Sequence, residues 1–422
     1  MKAHDFQDFS GKKVLLLQGP IGPFFTRLAS DLKKIGAEVF KVNFNTGDWF
    51  FYPKNAMNYR GSMNQWPDWF DQLTEKLQID FVLLFGDCRP IHRAAHAIAI
   101  KKNIDVAVFE EGYVRPNYVT FENFGVNAFS KIPRTPDTYQ NWMHKPIPAV
   151  PLGKTYWPMV WYGFLYFWFG ALGKPWFPKY EHHRRLSLLE GLPWIRSAWR
   201  KQWYRWKERK QQSELIEKWH KRYFLVPLQV YNDAQIITHG VIESIESFIT
   251  ETIESFSHSA SKDSILVFKH HPMDRGYRDY TQLISRLSHQ TGMRDRIRYI
   301  HDQYLPSLLE SARGVVVVNS TVGLSALHHG TPTKTCGNAF YNVPGLTFQG
   351  TLEQFWQQAE LQKPDPGLYM NFLNYLIYNT QLNGSFYKPL PSHDTYAGLI
   401  WSLSSQPSSY AHTEYLHVHK YP

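Results

Sequence analysis

The chain has 422 residues, more than a single hydrophobic core ordinarily serves, so two packed domains are expected. Lys and Arg number 46 against 36 Asp and Glu, a net charge of +10, and charged residues are only 19% of the whole, which excludes a highly charged disordered chain. Aromatic residues make up 16% and the mean hydropathy is −0.41, which argues against a polytopic membrane protein, while aromatics with surplus cations suit a wet, anionic partner such as headgroups, nucleic acid or a sugar nucleotide.

Residues 13 to 18, KVLLLQ, read as a first strand rather than as part of a secretion signal, followed by a Gln18-Gly19-Pro20 turn and a helix patterned on Phe25, Leu28, Ala29, Leu32 and Ile35. The pattern recurs: strand GAEVFKVNF, helix WPDWFDQLTEKLQ, strand DFVLLFG, helix HRAAHAIAIKKN, strand DVAVFEEG. Continuous apolar strands separated by helices predict a parallel sheet covered on both faces, a Rossmann-like domain over 1–150. A second set starts at YFLVPLQV and continues through a helix at 242–256, strand ILVFKHHP, a helix at 280–289 and strand VVVV, predicting another Rossmann-like domain over 216–380. The fold class is therefore α/β, with two Rossmann-like domains facing a cleft in the GT-B manner. Residues 381–422 form a C-terminal extension about which composition says little. Cys88 and Cys336 are too few for a disulfide framework, which fits a reducing cytosol.

Between the two sets, residues 151–215 hold TYWPMVWYGFLYFWFGALGKPWFPKY and then RSAWRKQWYRWKERK. Pro158, Gly163, Gly170 and Gly173 argue against a spanning helix. In the second part Ile195, Trp199, Trp203 and Trp206 recur at helical spacing among Arg196, Arg200, Lys201, Arg205, Lys207, Arg209 and Lys210. Aromatics flanked by cations suit the boundary of an anionic bilayer, with packing between domains as the alternative.

Four clusters at strand ends carry candidate chemistry. Glu110 and Glu111 follow the DVAVF strand, either as a general acid/base pair, with one pKa raised by neighbouring charge and partial burial and Arg115 placed to keep the other ionised, or as solvated acids at a glycine turn. Gln229 and Asp233 follow the first strand of the second set, and Asp233 is either a nucleophile or a helix cap. Lys269, His270 and His271 precede Asp274 and Arg275; they supply donors for a phosphate, or a histidine is buried structurally. Ser320 and Thr321 open a helix, as an anion site or as an ordinary cap. Gln18 and Gly19 form a close-approach loop without a G-x-G-x-x-G pattern. No two aspartates stand two apart, so the Asp-x-Asp metal device is missing and a reaction without metal or other cofactor is expected; Lys, Arg and His can receive the charge of a nucleoside monophosphate leaving group.

In this order, Glu-Glu-Gly, His-Pro and Ser-Thr resemble the motifs of bacterial sialyltransferases, which use CMP-activated nonulosonic acids. With Gln229-x-x-x-Asp233 and Glu-Glu-Gly-Tyr-Val-Arg, the chain is most similar to the capsule polysaccharide β-Kdo transferases, and its single-module length to the KpsS type, from about Val14 to about Gly345. The resemblance implies retaining transfer of 3-deoxy-D-manno-oct-2-ulosonic acid (Kdo) from CMP-Kdo to phosphatidylglycerol or lysophosphatidylglycerol. The enzyme would be cytoplasmic and peripheral on the anionic inner face of the inner membrane, with a second capsule β-Kdo transferase as a possible partner and no role for nucleic acid. It makes Asp233 the nucleophile, Glu111 or Glu110 the acid/base, and Lys269, His271, Ser320 and Thr321 the cytidylate contacts, with Arg115 and Arg275 as cations for the donor carboxylate. The rivals are an inverting CMP-sialic-acid-type transferase and a non-catalytic, membrane-associated capsule assembly protein.

Overall fold

The computed structural model describes residues 5–182, 191–231, 242–390 and 395–401. They fall into two compact units. One comprises Met1–Lys131, His144–Glu190 and Asn374–Pro422, the other Ile132–Met143 and Gly191–Leu373.

The first unit holds a seven-stranded sheet in the order β12-β6-β5-β4-β1-β2-β3. Its strands are β1 (Lys13–Leu16), β2 (Glu38–Asn43), β3 (Met57–Asn58), β4 (Phe81–Phe85), β5 (Asp105–Glu111), β6 (Tyr118–Asn123) and β12 (Gln381–Asn383). The five strands from β5 to β3 are parallel, as the continuous apolar runs predict. Two strands that no apolar run announces complete one edge, where β6 runs antiparallel to β5 and β12 antiparallel to β6. The physical reason is the tight connection at residues 112–117: it is too short for a helical crossover, so the chain must double back. Val14, Leu16, Leu83, Ala107 and Phe109 of the sheet join Phe24, Leu28 and Leu32 of the helix Phe24–Lys34 in one core.

The second unit holds a five-stranded parallel sheet, β11-β10-β7-β8-β9, with β7 (Tyr223–Pro227), β8 (Ile265–Lys269), β9 (Ile297–Ile300), β10 (Gly314–Val317) and β11 (Thr333–Thr335). One face packs on Ile245, Ile249, Ile253 and Phe256 of the helix Ile245–Ser259, and the other on Leu308, Leu309 and Ala326.

The 151–215 segment does not form one insertion. The helix Tyr156–Leu172 belongs to the first unit and the helix Gly191–Lys207 to the second. In the former, Gly163, Tyr166 and Gly170 share the buried face. That spacing lets the helix lie against Thr46–Phe51, where Phe50 stacks on Phe169 at 3.9 Å. A Cβ on Gly47 would come within 2.7 Å of the Tyr166 carbonyl, and one on Gly173 would overlap Thr46. The glycines that look like interruptions in the sequence are therefore the contact surface. The opposite face exposes Trp157, Trp161, Phe164 and Trp168. Among the described residues no helix is long and apolar enough to cross a membrane.

Candidate active site

Because parallel strands present their carboxyl ends at one edge, the candidate residues of each unit collect along one rim. In the first unit, Gly86 follows β4 and donates its N–H to the Phe109 carbonyl, which sets the loop after β4 beside Glu110. Glu110 is half-buried, and its carboxyl is pushed up to about 7, first by desolvation and further by the charges of Glu111 and Asp87, against the Glu111 backbone N–H and Arg89. The expected elevation is present, with burial rather than the neighbouring acid as its main cause.

Glu111 accepts a hydrogen bond from the Tyr387 hydroxyl at 2.8 Å. Arg115, expected to hold one carboxylate, is exposed and turns its Nε back to the Gly112 carbonyl at 3.0 Å. The partner comes instead from the C-terminal extension, which also supplies β12.

Gln18 is buried, with 1% exposure. Its Nε2 donates to Asp48 at 3.0 Å and to the hydroxyls of Tyr166 at 3.1 Å and Tyr180 at 2.9 Å, and its Oε1 accepts from Arg89 Nη1 at 2.8 Å. The expected close-approach loop thus begins in a locked polar hub. At Gly19 the requirement for glycine is the Phe25 ring, which a Cβ would meet at 2.8 Å. Arg89 was not singled out in the sequence, although Asp-Cys-Arg-Pro follows an apolar strand as the other clusters do.

In the second unit Gln229 bonds through its side chain to the Asn319 side chain at 2.9 Å, tying the end of β7 to the end of β10. Asp233 lies outside the described residues. Its chain neighbour Tyr231 donates its N–H to Asp274 at 2.7 Å, so Asp274 fixes the chain two residues before the proposed nucleophile.

Lys269 is buried, donates to the His301 carbonyl at 3.1 Å and is lowered to about 8 by desolvation, partly opposed by Asp302. His270 is buried, shares a hydrogen bond of 2.6 Å with the Tyr299 hydroxyl and is driven down to about 3 by desolvation and the neighbouring histidines. It is neutral at physiological pH, the structural alternative left open in the sequence. His271 accepts the Met273 N–H at 3.2 Å and caps the short helix Pro272–Asp274. Arg275 is buried and paired with Asp302, so it is not an uncommitted cation for a donor carboxylate. Ser320 Oγ accepts the Val322 N–H at 3.2 Å, while Thr321 makes no side-chain cap.

The basic helix packs on this rim. Trp194 donates to the Tyr277 hydroxyl at 3.2 Å, Arg200 to the Arg275 carbonyl at 2.9 Å, and Tyr204 stacks on His301 at 3.5 Å. Glu208, just beyond the helix, receives the His301 backbone N–H at 2.9 Å and its ring at 2.6 Å. Arg200 therefore faces inward, near Asp279 at 3.6 Å, whereas Ile195, Trp199, Trp203 and Trp206 are exposed. Asp302 and Glu208 were invisible as site residues because each is defined by a partner distant in sequence. Among the described residues no three His, Cys, Asp or Glu side chains converge as a metal site.

The profile of the family described as "Capsule polysaccharide biosynthesis protein" matches residues 80–387, which spans both rims. This chain belongs to that family. It is 44% identical to the capsule polysaccharide export protein KpsS of Escherichia coli over 381 residues, covering 90% of this chain and 97% of that protein. The capsule polysaccharide modification protein LipB of Neisseria meningitidis serogroup A is 37% identical over 390 residues, 90% of this chain and 92% of that protein. Among solved structures, Anabaena Alr3699/HepE in complex with UDP-glucose is similar at a TM-score of 0.34 and 11% identity, covering 87% of this chain and 95% of that one. As a capsule biosynthesis family member, the chain carries its conspicuous acids and bases at the carboxyl ends of two Rossmann-like sheets.

Proposed function

We propose that this protein is a retaining β-Kdo glycosyltransferase that moves Kdo from CMP-Kdo to a phosphatidylglycerol-type lipid, starting the poly-Kdo linker of a capsular polysaccharide at the inner face of the inner membrane. The observation that carries the reading is Glu110, a half-buried carboxyl at a strand end whose value of about 7 suits it to take up and return a proton near neutral pH. The order of the motifs and the family support the donor. The two helices with exposed aromatic faces support a membrane-borne acceptor.

In the first step an oxygen of Asp233 attacks C2 of Kdo while the bond from C2 to the phosphate oxygen breaks, and its electron pair leaves with CMP. In the second, Glu110 takes the proton of the acceptor hydroxyl, whose oxygen attacks C2 and displaces the Asp233 carboxylate. Two inversions give net retention. The choice of Glu110 over Glu111 is supported by the Tyr387 hydroxyl, which already occupies Glu111. Lys269, His271, Ser320 and Thr321 serve the cytidylate, and no divalent cation takes part.

The test is purified protein with CMP-Kdo and a fluorescent lysophosphatidylglycerol, followed by NMR of the product linkage. A β-linked Kdo whose formation persists in EDTA supports the reading. An α-linked product, or CMP-Kdo left intact by folded protein, overturns it.

A further inference from the structure

In the first unit, hydrogen bonds join the side chains of Tyr166, Gln18 and Arg89, and the charge of Arg89 acts on Glu110. Tyr166 lies on the inward face of the helix Tyr156–Leu172, whose outward face carries Trp157, Trp161, Phe164 and Trp168. The Tyr166 hydroxyl accepts from Gln18 Nε2 at 3.1 Å, and the opposite end of the same amide accepts from Arg89 at 2.8 Å. Asp48 Oδ2 and the Tyr180 hydroxyl also lie within hydrogen-bond distance of Gln18 Nε2, which holds the amide with its oxygen toward Arg89. The Arg89 guanidinium also lies over the Phe85 ring, at 5.5 Å from its centroid, and acts electrostatically on Glu110. Arg89 is only half-buried, and among the described residues it makes no ion pair, whereas Arg275 of the second unit is committed to Asp302.

A glycerophospholipid with a glycerol headgroup presents its parts in the same order: acyl chain, phosphodiester, then a hydroxyl three atoms farther on. We infer that Arg89 is the binding residue for the phosphodiester of the acceptor lipid, with the aromatic helix taking the apolar end and Glu110 receiving the headgroup hydroxyl. This rests on the reading of the acceptor as a membrane phospholipid. A guanidinium held by an amide and an aromatic ring keeps two edges of donors for phosphate oxygens, and its planar fork suits them better than an ammonium. Interfacial aromatics sit at headgroup depth, so a helix buried to that level brings the phosphate layer to the protein surface beside it. Arg89 also neutralises charge where a phosphate and a deprotonating carboxyl must coexist.

The phosphate and carboxylate of the donor share this chemistry, and the experiment separates the two sources. Full-length wild type, Arg89→Lys and Arg89→Ala are titrated calorimetrically with dihexanoylphosphatidylglycerol, dihexanoylglycerol and CMP, with thermal melts as a folding control. The expected result is a loss of about tenfold or more in affinity for the phospholipid in Arg89→Ala and a smaller loss in Arg89→Lys, with CMP and the phosphate-free lipid changed less than about twofold. A larger loss for CMP than for the phospholipid assigns Arg89 to the donor and overturns the inference, as does unchanged phospholipid affinity. Wild type that binds CMP and no phospholipid removes the acceptor reading itself, and the inference with it. Wild type that binds phospholipid independently of Arg89 leaves that reading standing and removes the inference alone.

Discussion

Tyr387 donates its hydroxyl hydrogen to Glu111 at 2.8 Å from 276 residues farther along the chain. Burial and the negative charge of Glu111 both hold the phenol well above its ordinary value, so it remains a donor throughout the working pH range. Tyr387→Phe removes that donor and leaves Glu111 free to turn toward Glu110. Transfer should fall by about tenfold in kcat with little change in donor KM, and stability should drop by about 1–2 kcal/mol in urea titration.

Glu110→Gln removes the proton acceptor, and transfer should fall by roughly two to four orders of magnitude while CMP still binds. The wild-type rate should rise with pH through an apparent pKa near 7. Stability moves the other way. The folded value of about 7 lies above the ordinary 4.5, so the folded protein holds this proton more tightly than the unfolded chain does. That contribution is complete below about 4.5 and is lost as pH rises to about 7. Glu110→Gln should therefore be stabilised relative to wild type by about 1–3 kcal/mol above pH 7 and by little at pH 4, measured by denaturant titration at both ends.

Arg275 and Asp302 are each less than 10% exposed. Asp302→Ala leaves Arg275 and the neighbouring Lys269 without their counter-charge and should cost about 3–5 kcal/mol. The double variant Arg275→Met, Asp302→Leu should cost much less, because no buried charge is stranded. Thermal unfolding of the three proteins checks this, and equal losses in both variants would count against a stranded-charge origin.

Trp157 and Trp161 are 73% and 57% exposed. Trp157→Ser with Trp161→Ser should lower binding to phosphatidylglycerol vesicles by about tenfold, read by flotation, with a stability change inside about 0.5 kcal/mol. Replacing Arg205 and Lys207 with Gln should instead reduce the salt sensitivity of binding.

Asp233→Ala should abolish transfer and preserve CMP affinity. In Glu110→Gln, where the second step is slowed, intact-mass analysis should find one Kdo on the protein, mapped to the peptide containing Asp233. An adduct at another residue, or equal loss of nucleotide affinity in Asp233→Ala and His271→Ala, runs against the proposed roles.

The strands of both sheets were legible because buried parallel strands are continuous apolar runs, as in FVLLF and ILVFK. The antiparallel edge was not, since β12 has three residues and two of them, Gln381 and Asn383, are buried polar side chains recognisable only by their partners. Glu110, Lys269 and Ser320 do stand at or just after the carboxyl ends of β5, β8 and β10. That position did not distinguish a side chain turned to solvent from one consumed by a neighbour. Gln18, His270 and Arg275 are consumed by Asp48, Tyr299 and Asp302, whose approach depends on tertiary folding. The helix Tyr156–Leu172 is aromatic on every side, so periodicity alone could not tell its packed glycine face from its exposed tryptophan face.

Because β12 pairs with β6, the outer edge of β6 stays open on a nascent chain until the entire second unit has been translated. Exposed backbone donors and acceptors along β6 would template pairing with other chains in the meantime. Fragments ending near residue 150 should consequently be prone to aggregation, and the order of synthesis makes β12 the late strand that covers the outer edge of β6.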